Sequence, residues 1–189
     1  MCIRDRDKTL ITKVVSYTVL WHMYRYVERY IPYMVDCVMP AGVKEAPLAV
    51  SLVNDECDRA TNIQRVNNER PKDGKKKDFV LCSQALDYYA DDFSIRIVEF
   101  LEAMFMFGID KAVFYEFKVH PNIKKVLEYY KKLGKVDSYL FSLPGDYPNI
   151  PYIQHKLFKE KIDVRWIIEP YPLNDCFYRN IHLYKYVLL

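Results

Sequence analysis

Residues 79–143 read FVLCSQALDYYADDFSIRIVEFLEAMFMFGIDKAVFYEFKVHPNIKKVLEYYKKLGKVDSYLFSL, and this segment determines the fold class. Short apolar runs typical of buried strands occur at 79–82, 112–115 and 136–143. Two longer segments of helical spacing lie between them, and Gly108 and Gly134 stand where those helices would end. Strand, helix, strand, helix and strand in this order predict a doubly wound α/β domain with right-handed crossovers.

The two predicted helices run from Asp92 to Phe107 and from Pro121 to Leu133. Asp91 and Asp92 offer carboxylates to the first N–H groups of the first helix, and a proline is favourable in the first turn of the second. The first helix has a narrow polar stripe, so we expect it to be covered on more than one side. That stripe consists of Arg96, Glu99 and Glu102.

The predicted sheet is mostly parallel. Its strands are expected at Phe79–Ser83, Ala112–Glu116 and Val136–Phe141, with Val187–Leu189 inserted beside them and both helices packed on the sheet. A sandwich of antiparallel strands would contradict this prediction.

Composition excludes several classes of protein. The chain has 189 residues, of which 51% are hydrophobic and five are glycine, so it is neither disordered nor fibrous. The formal net charge is only +3, and the basic residues are dispersed. The run Lys75–Lys77 reads as a solvated turn, and we therefore expect no nucleic-acid partner.

The five cysteines stand at positions 2, 37, 57, 82 and 176, without a Cys-x-x-Cys pair. This spacing does not indicate a structural zinc site. Without Cys2, which we discount below, four cysteines remain, an even number that is compatible with an oxidising compartment. Cys82 and Cys176 have apolar neighbours in sequence, and they could equally be buried thiols.

Both ends of the chain are abrupt. Residues 1–6 (MCIRDR) match a translated transposon adapter used in sequencing libraries, so we expect them to be an artefact and exclude them from the fold prediction. Tyr186–Leu189 reads as the beginning of a buried strand. We therefore expect an internal fragment, from which any upstream signal peptide or membrane anchor would be missing. The apolar segment Leu10–Val27 contains charged residues and is not a spanning helix.

Residues 7–78 are predicted to be an N-terminal extension with short strands and a polar loop. Tyr33–Met39 and Leu48–Val53 are the strand candidates, because proline and glycine bound them. Asp55–Asp78 is almost wholly polar and is predicted to be loop. The domain proper is predicted from residue 79 to residue 189.

No common cofactor or catalytic motif is present. The sequence lacks Gly-x-Gly-x-x-Gly, a Walker loop, Gly-x-Ser-x-Gly and histidines at metal-ligand spacing. In open α/β sheets, however, ligands bind beyond the carboxyl ends of the strands. This rule selects Ser83 and Gln84 after the first strand, Glu116 after the second, and whatever follows Leu189.

One compact polar cluster lies at Asn174–Asn180. If this segment is helical, Asp175 and Arg179 lie four residues apart on one face. They could form an i,i+4 ion pair that stabilises the helix by only about 0.3 kcal/mol. They could instead point at a ribose, phosphate or sugar. Spacing alone leaves both interpretations open.

Several pieces of the sequence together resemble glycosyltransferase family 92, and most of all its arthropod-type members. The pieces occur in the order Cys57-Asp58-Arg59-Ala60-Thr61-Asn62, Asn68-Glu69-Arg70-Pro71, Asp91-Asp92-Phe93-Ser94, Val98-Glu99, Phe107-Gly108-Ile109-Asp110-Lys111, His120-Pro121-Asn122-Ile123, Leu127-Glu128-Tyr129-Tyr130, Leu143-Pro144-Gly145, Asn174-Asp175-Cys176-Phe177-Tyr178-Arg179-Asn180 and Tyr184-Lys185-Tyr186. Single pieces are weak signals, whereas this many in order are specific. The resemblance covers residues 31–189.

The resemblance implies a GT-A-like, Rossmann-like fold and transfer of a sugar, typically galactose, from UDP-galactose to a glycan acceptor. It implies a single-pass protein of the Golgi or secretory pathway with its catalytic domain in the lumen. It also implies a divalent cation, Mn²⁺ or Mg²⁺, which are hard ions that suit phosphate oxygens. The residues expected to bind substrate are Ser83, Gln84, Glu116, Asn174, Asp175 and Arg179.

Two features depart from the family pattern. Many relatives are expected to have a basic residue at Gln84, which weakens the case for a phosphate contact there. The metal-binding Asp-x-Asp and the catalytic base are expected directly after Leu189 and downstream of it. The sequence therefore offers neither a catalytic residue nor a metal ligand, and we expect the chain as given to be inactive.

Two other functions remain open at this point. The chain could belong to a non-catalytic carbohydrate-binding or scaffolding homologue, because a fold does not imply an activity. It could also be an unrelated doubly wound nucleotide-binding module, but residues 85–88 lack the glycine-rich turn of such modules. The residues that follow Leu189 distinguish an enzyme from a scaffold, since only an enzyme needs the Asp-x-Asp there.

Overall fold

The computed structural model describes residues 2–5, 8–20, 30–43, 45–55, 58–67, 70–71 and 73–189. The chain folds as two units, Met1–Tyr24 with Ile31–Asn68, and Arg25–Tyr30 with Glu69–Leu189. No helix within the described residues is both long and apolar enough to span a bilayer.

The first unit consists of short antiparallel strands. They are β1 (Cys2–Asp5), β2 (Lys8–Ile11), β3 (Val14–Val19), β4 (Tyr33–Cys37), β5 (Ala49–Ser51) and β6 (Gln64–Arg65). One sheet has the order β2-β1-β5-β6, and β3 pairs with β4. The structure has β4 and β5 where strands were predicted, each shorter than expected. The segment predicted to be loop contains β6. The adapter origin of residues 1–6, where β1 lies, stays a prediction.

The second unit is the predicted α/β domain. Its elements are β7 (Lys77–Leu86), α1 (Ser94–Met106), β8 (Lys111–Glu116), α2 (Pro121–Lys132), β9 (Val136–Leu140), α3 (Pro151–Glu160), α4 (Ile162–Ile168), α5 (Pro170–Asn180) and β10 (Tyr184–Leu188). The strands lie in the order β10-β7-β8-β9, and every neighbouring pair is parallel. The mostly parallel sheet, with its last strand inserted beside the first, is confirmed. The predicted boundary at residues 78 and 79 falls inside β7.

Apolar side chains fill both faces of this sheet. On one face α1 and α2 bury Leu101, Phe114 and Leu127 against the strands. Each such side chain contributes about 1.5–3 kcal/mol through burial. On the other face α5 brings Cys176 against Val113, and helices therefore cover both faces of the sheet.

A disulfide bond joins Cys82 of β7 to Cys176 of α5, with their Cα atoms 5.9 Å apart. Both cysteines are buried. The sequence left open whether these two cysteines were paired or were separate thiols, and the structure selects the pair. The bond fixes α5 to the first strand of the domain, across a sequence separation of 94.

The start of α1 differs slightly from the prediction. The helix begins at Ser94, and Asp92 accepts a hydrogen bond from the Ser94 N–H at 3.0 Å. Asp92 also accepts one from the Asn122 side chain at 2.6 Å. The hydrogen bonds from Ser94, and to a smaller extent the one from Asn122, lower the pKa of the Asp92 carboxyl to about 2. This carboxylate therefore links the amino ends of α1 and α2.

The outer side of α1 is not covered, contrary to the expectation from its composition. Met106 is 86% exposed and Ile95 is 74% exposed, whereas Ile97 and Leu101 are buried. The narrow polar stripe therefore overstated how much of this helix is enclosed. An apolar side chain on a helix is buried only where a neighbouring element packs against it.

A register shift interrupts the pairing of β7 with β8 between Cys82 and Ala85. Cys82, which precedes the shift, faces the core under α5. Ala85, which follows the shift, faces the same core, although it stands three positions further along the strand. Side chains alternate strictly along a regular strand, so the irregularity reverses the alternation. Ser83 and Gln84 lie within this irregular segment, next to the carboxyl end of β7.

Candidate functional site

A cleft of about 180 Å³ opens at the carboxyl ends of β7 and β8. We call it the carboxyl-edge cleft. Its lining residues come from β7 and the chain after it, from the chain after β8, and from α3, α4 and α5: Gln84, Ala85, Asp87, Tyr88, Asp91, Phe117, His155, Phe158, Arg165, Ile168, Glu169 and Pro172. This is the edge at which open α/β sheets bind ligands.

Two pairs, each of a basic side chain with a carboxylate, form the polar part of the cleft. Nδ1 of His155 lies 2.9 Å from a carboxylate oxygen of Asp87. Nε of Arg165 donates to Glu169 at 3.0 Å, one helical turn away. Asp91 adds a further, exposed carboxylate. The imidazole and the guanidinium that line the cleft therefore each have a carboxylate partner, and the lining residues carry no excess of positive charge.

Aromatic rings form much of the remaining wall. Phe117, directly after β8, packs against Phe158 of α3 with the ring centroids 5.1 Å apart. The Tyr88 ring packs against the Phe93 ring, with the ring centroids 4.7 Å apart, and Tyr88 is 39% exposed. Flat apolar surfaces beside a few polar groups are typical of sites for small organic ligands.

A second, more open recess of about 330 Å³ lies between the carboxyl ends of β7 and β10. We call it the β10 recess. Ser83, Gln84 and Leu189 all line it, and Gln84 also lines the carboxyl-edge cleft. The structure thus places Ser83 and Gln84, which the strand-end rule selected, beside Leu189. The Ser83 hydroxyl donates to the carbonyl of Gln84 at 3.1 Å.

Glu116 does not join this group. Its side chain is 3% exposed, and Lys124 of α2 donates to both of its carboxylate oxygens, at 3.0 and 3.2 Å. Its neighbour Tyr115 contacts Asp175 on the face covered by α5. Consecutive residues of a strand point to opposite faces. Glu116 and Asp175, which were both expected to bind substrate, therefore do not face one cleft, because the sheet lies between them.

The segment Asn174–Asn180 is helical and belongs to α5, but its polar residues contact the protein itself. One oxygen of Asp175 accepts hydrogen bonds from the Tyr115 hydroxyl at 2.5 Å and from Nε of Arg179 at 2.6 Å. Asn174 donates to the carbonyl of Pro170 at 2.8 Å. Asn174, Asp175 and Arg179 are not among the residues that line the carboxyl-edge cleft. Their role in binding stays a prediction.

The cluster around Asp175 extends to two tyrosines of the sheet. The guanidinium of Arg179 lies 5.1 Å from the ring centre of Tyr139. Burial, and then the hydrogen bond to Asp175, raise the pKa of Tyr115. Arg179 is about one-third exposed, so its ion pair is only partly shielded from water. This arrangement supports the ion-pair interpretation of the two charged residues.

Replacing Asp175 by asparagine tests that interpretation. We expect Asp175→Asn to lower the free energy of unfolding by about 1 kcal/mol, because Arg179 loses its charge partner while the Tyr115 hydroxyl keeps an acceptor. Nucleotide affinity should stay within about twofold. Chemical denaturation and a binding titration measure the two effects. Glu160→Gln, which removes an exposed ion pair with Lys156, is the control. A tenfold loss of affinity would instead assign Asp175 to the binding site.

The described residues include no group of three or more His, Cys, Asp or Glu side chains that could hold a metal ion. Their donor set therefore does not by itself fit the divalent cation that the resemblance implies. Carboxylates are present in the carboxyl-edge cleft, but Asp87 and Glu169 are already paired with His155 and Arg165.

Sequence reasoning missed the residues of α3 and α4 that line the cleft. The strand-end rule stopped at Glu116 and so passed over Phe117, the next residue. Asp87 directly follows β7 and could have been found by the same rule. His155 and Arg165 give no such signal, because they lie on helices that connect β9 to α5 and reach the cleft only through the tertiary fold.

The sequence model of glycosyltransferase family 92 matches residues 77–189, which is more than half of the chain. No protein with curated annotation matches the chain significantly. The matched residues coincide with the parallel sheet and the helices on its two faces, an arrangement consistent with a GT-A-like, Rossmann-type fold. The domain is thus that of an enzyme that transfers sugars, and the chain belongs to glycosyltransferase family 92.

Proposed function

We propose that the second unit is the nucleotide-binding half of a galactosyltransferase, and that the carboxyl-edge cleft receives the nucleoside of its donor, UDP-galactose. The observation that carries this proposal is the position of the cleft, at the carboxyl ends of two adjacent parallel strands. The acceptor is a glycan, in keeping with the family.

The charge of the cleft favours the nucleoside over the diphosphate. His155 and Arg165 are each paired with a carboxylate, and Asp91 contributes another negative charge. A diphosphate would meet net repulsion there. The rings of Tyr88 and Phe117 instead offer surfaces on which a planar base can stack.

The diphosphate and the sugar are proposed to lie toward the β10 recess. Ser83 and Gln84 line that recess together with Leu189, next to the end of β10. The proposed Mn²⁺ or Mg²⁺ ligands are the Asp-x-Asp expected directly after Leu189. When bound, the cation would offset the charge that develops on the leaving diphosphate.

The disulfide supports a location in the secretory pathway. Disulfide bonds persist in oxidising compartments such as the lumen of that pathway and are rare in the cytosol. The Cys82–Cys176 bond lies in the core of the matched domain. We propose that the domain is lumenal and that a membrane anchor precedes it.

A binding experiment with two tyrosine variants tests the proposed function. We expect uridine, UDP and UDP-galactose to bind the purified chain, and Tyr88→Ser to weaken all three at least roughly tenfold, since stacking of a base on an aromatic ring contributes about 1–3 kcal/mol. Tyr129→Ser, which removes an exposed ring from α2, should leave the affinities unchanged. Ligand-observed NMR gives the dissociation constants.

Two outcomes would contradict the proposal. One is the absence of binding by all three ligands, and the other is binding that Tyr88→Ser does not weaken. Binding of free glycans without any nucleotide would favour the carbohydrate-binding alternative.

A further inference from the structure

Asp87 and His155 form a half-buried pair at the polar wall of the carboxyl-edge cleft. The Asp87 side chain is 20% exposed and that of His155 is 39% exposed. Asp87 directly follows β7, and His155 lies in the middle of α3, 68 residues further along the chain. The edge of the Tyr89 ring packs against the imidazole, with the centroids 5.4 Å apart. Both the position and the plane of the imidazole are therefore held.

The contact with Asp87 determines which imidazole nitrogen is available to a ligand. A carboxylate only accepts hydrogen bonds, so Nδ1 of His155 carries the proton and donates it to Asp87. In the neutral imidazole Nε2 is then an acceptor. Among the described residues, Nε2 has no hydrogen-bond partner. An oriented acceptor without a partner is thus present at a site that otherwise consists of paired charges and rings.

We propose that Nε2 of His155 accepts a hydrogen bond from the donor nucleoside, either from a ribose hydroxyl or from the N–H of the base, and that Asp87 is the positioning residue. This inference rests on the proposed function, since it assigns a contact within the nucleoside site. An acceptor selects ligands that donate a hydrogen bond. Uridine offers such donors in its ribose hydroxyls and in the imide N–H of its base.

Uridine is the probe of choice, because it carries no phosphate and needs no cation. We expect His155→Gln to lower the affinity for uridine roughly three- to tenfold, which is the contribution of one hydrogen bond. Asp87→Asn should lower it less, since the imidazole keeps its place but loses its fixed tautomer.

The control is His182→Gln, which removes an exposed histidine outside the cleft and should preserve the wild-type affinity for uridine. Two further probes, 2′-deoxyuridine and 3-methyluridine, each lack one hydrogen-bond donor. A smaller penalty for either probe in His155→Gln than in the wild type supports the contact.

The two hypotheses fail in different ways. If Tyr88→Ser weakens uridine binding while His155→Gln leaves the affinity unchanged, His155 is not a ligand contact but the nucleoside site stands. If His155→Gln does not fold, wild-type affinities for 2′-deoxyuridine and 3-methyluridine that equal the affinity for uridine still overturn the inference. If the wild-type chain binds no uridine, both the site and the contact are wrong.

Discussion

Loss of the Cys82–Cys176 disulfide should lower the free energy of unfolding of the second unit by about 2–5 kcal/mol. The bond closes a loop with a sequence separation of 94, so breaking it releases much conformational freedom in the unfolded chain. Both cysteines are buried, and the two thiols left behind would stay in an apolar core. Against the total of about 5–15 kcal/mol that is usual for a domain, this is a large fraction.

Chemical denaturation with and without a thiol reductant measures this effect. The oxidised wild-type chain should unfold at clearly higher denaturant concentration than the reduced chain, and Cys82→Ala/Cys176→Ala should match the reduced chain under both conditions. Cys37→Ala, which lies in the first unit, should keep the difference between the oxidised and reduced states. Mass spectrometry confirms that the bond has formed in one sample and has been reduced in the other. Equal denaturation midpoints for these two samples would show that the bond does not stabilise the second unit.

Lys124→Met should lower the free energy of unfolding by about 3 kcal/mol, because it leaves the carboxylate of Glu116 buried without its cation. Glu116 is 3% exposed and lies on β8, whereas Lys124 is 43% exposed and reaches it from α2. Because the Lys124 side chain is partly exposed, forming this ion pair costs less desolvation free energy than forming a fully buried pair. The carboxylate has no comparable access to water.

The double variant Glu116→Gln/Lys124→Met separates the ion pair from general packing. Removing both charges should restore most of the stability, since a buried ion pair can be replaced by neutral groups at little net cost. Lys125→Met removes an exposed charge from the same helix and should change stability by less than about 0.5 kcal/mol. If the double variant is as unstable as Lys124→Met, then the methylene chain of Lys124 matters rather than its charge.

The second unit's fold could be predicted from sequence because its signals are local. Buried parallel strands read as apolar runs, and Gly108 and Gly134 adopt the positive φ angles of +93° and +71° that favour glycine after a helix. The alternation of strands and helices then leaves few topologies. The helices α3 and α4 were not predicted, because the segment between β9 and α5 was assigned no periodic pattern.

The candidate site could be predicted only in part. The strand-end rule selected Ser83 and Gln84, which the structure places beside Leu189 at the β10 recess. It also selected Glu116, which the structure pairs with Lys124 on another face. The rule identifies the edge of the sheet but not the face to which a side chain points.

The sequence by itself determined the family and the parallel α/β architecture. Each of these follows from order and spacing along the chain. Only the tertiary structure decided that Cys82 bonds Cys176, that the sheet separates Glu116 from Asp175, and that Asp87 meets His155. The physical reason is that such contacts depend on which face each strand presents after the irregularity in β7. They depend equally on where the connections bring distant helices, and no local pattern records either one.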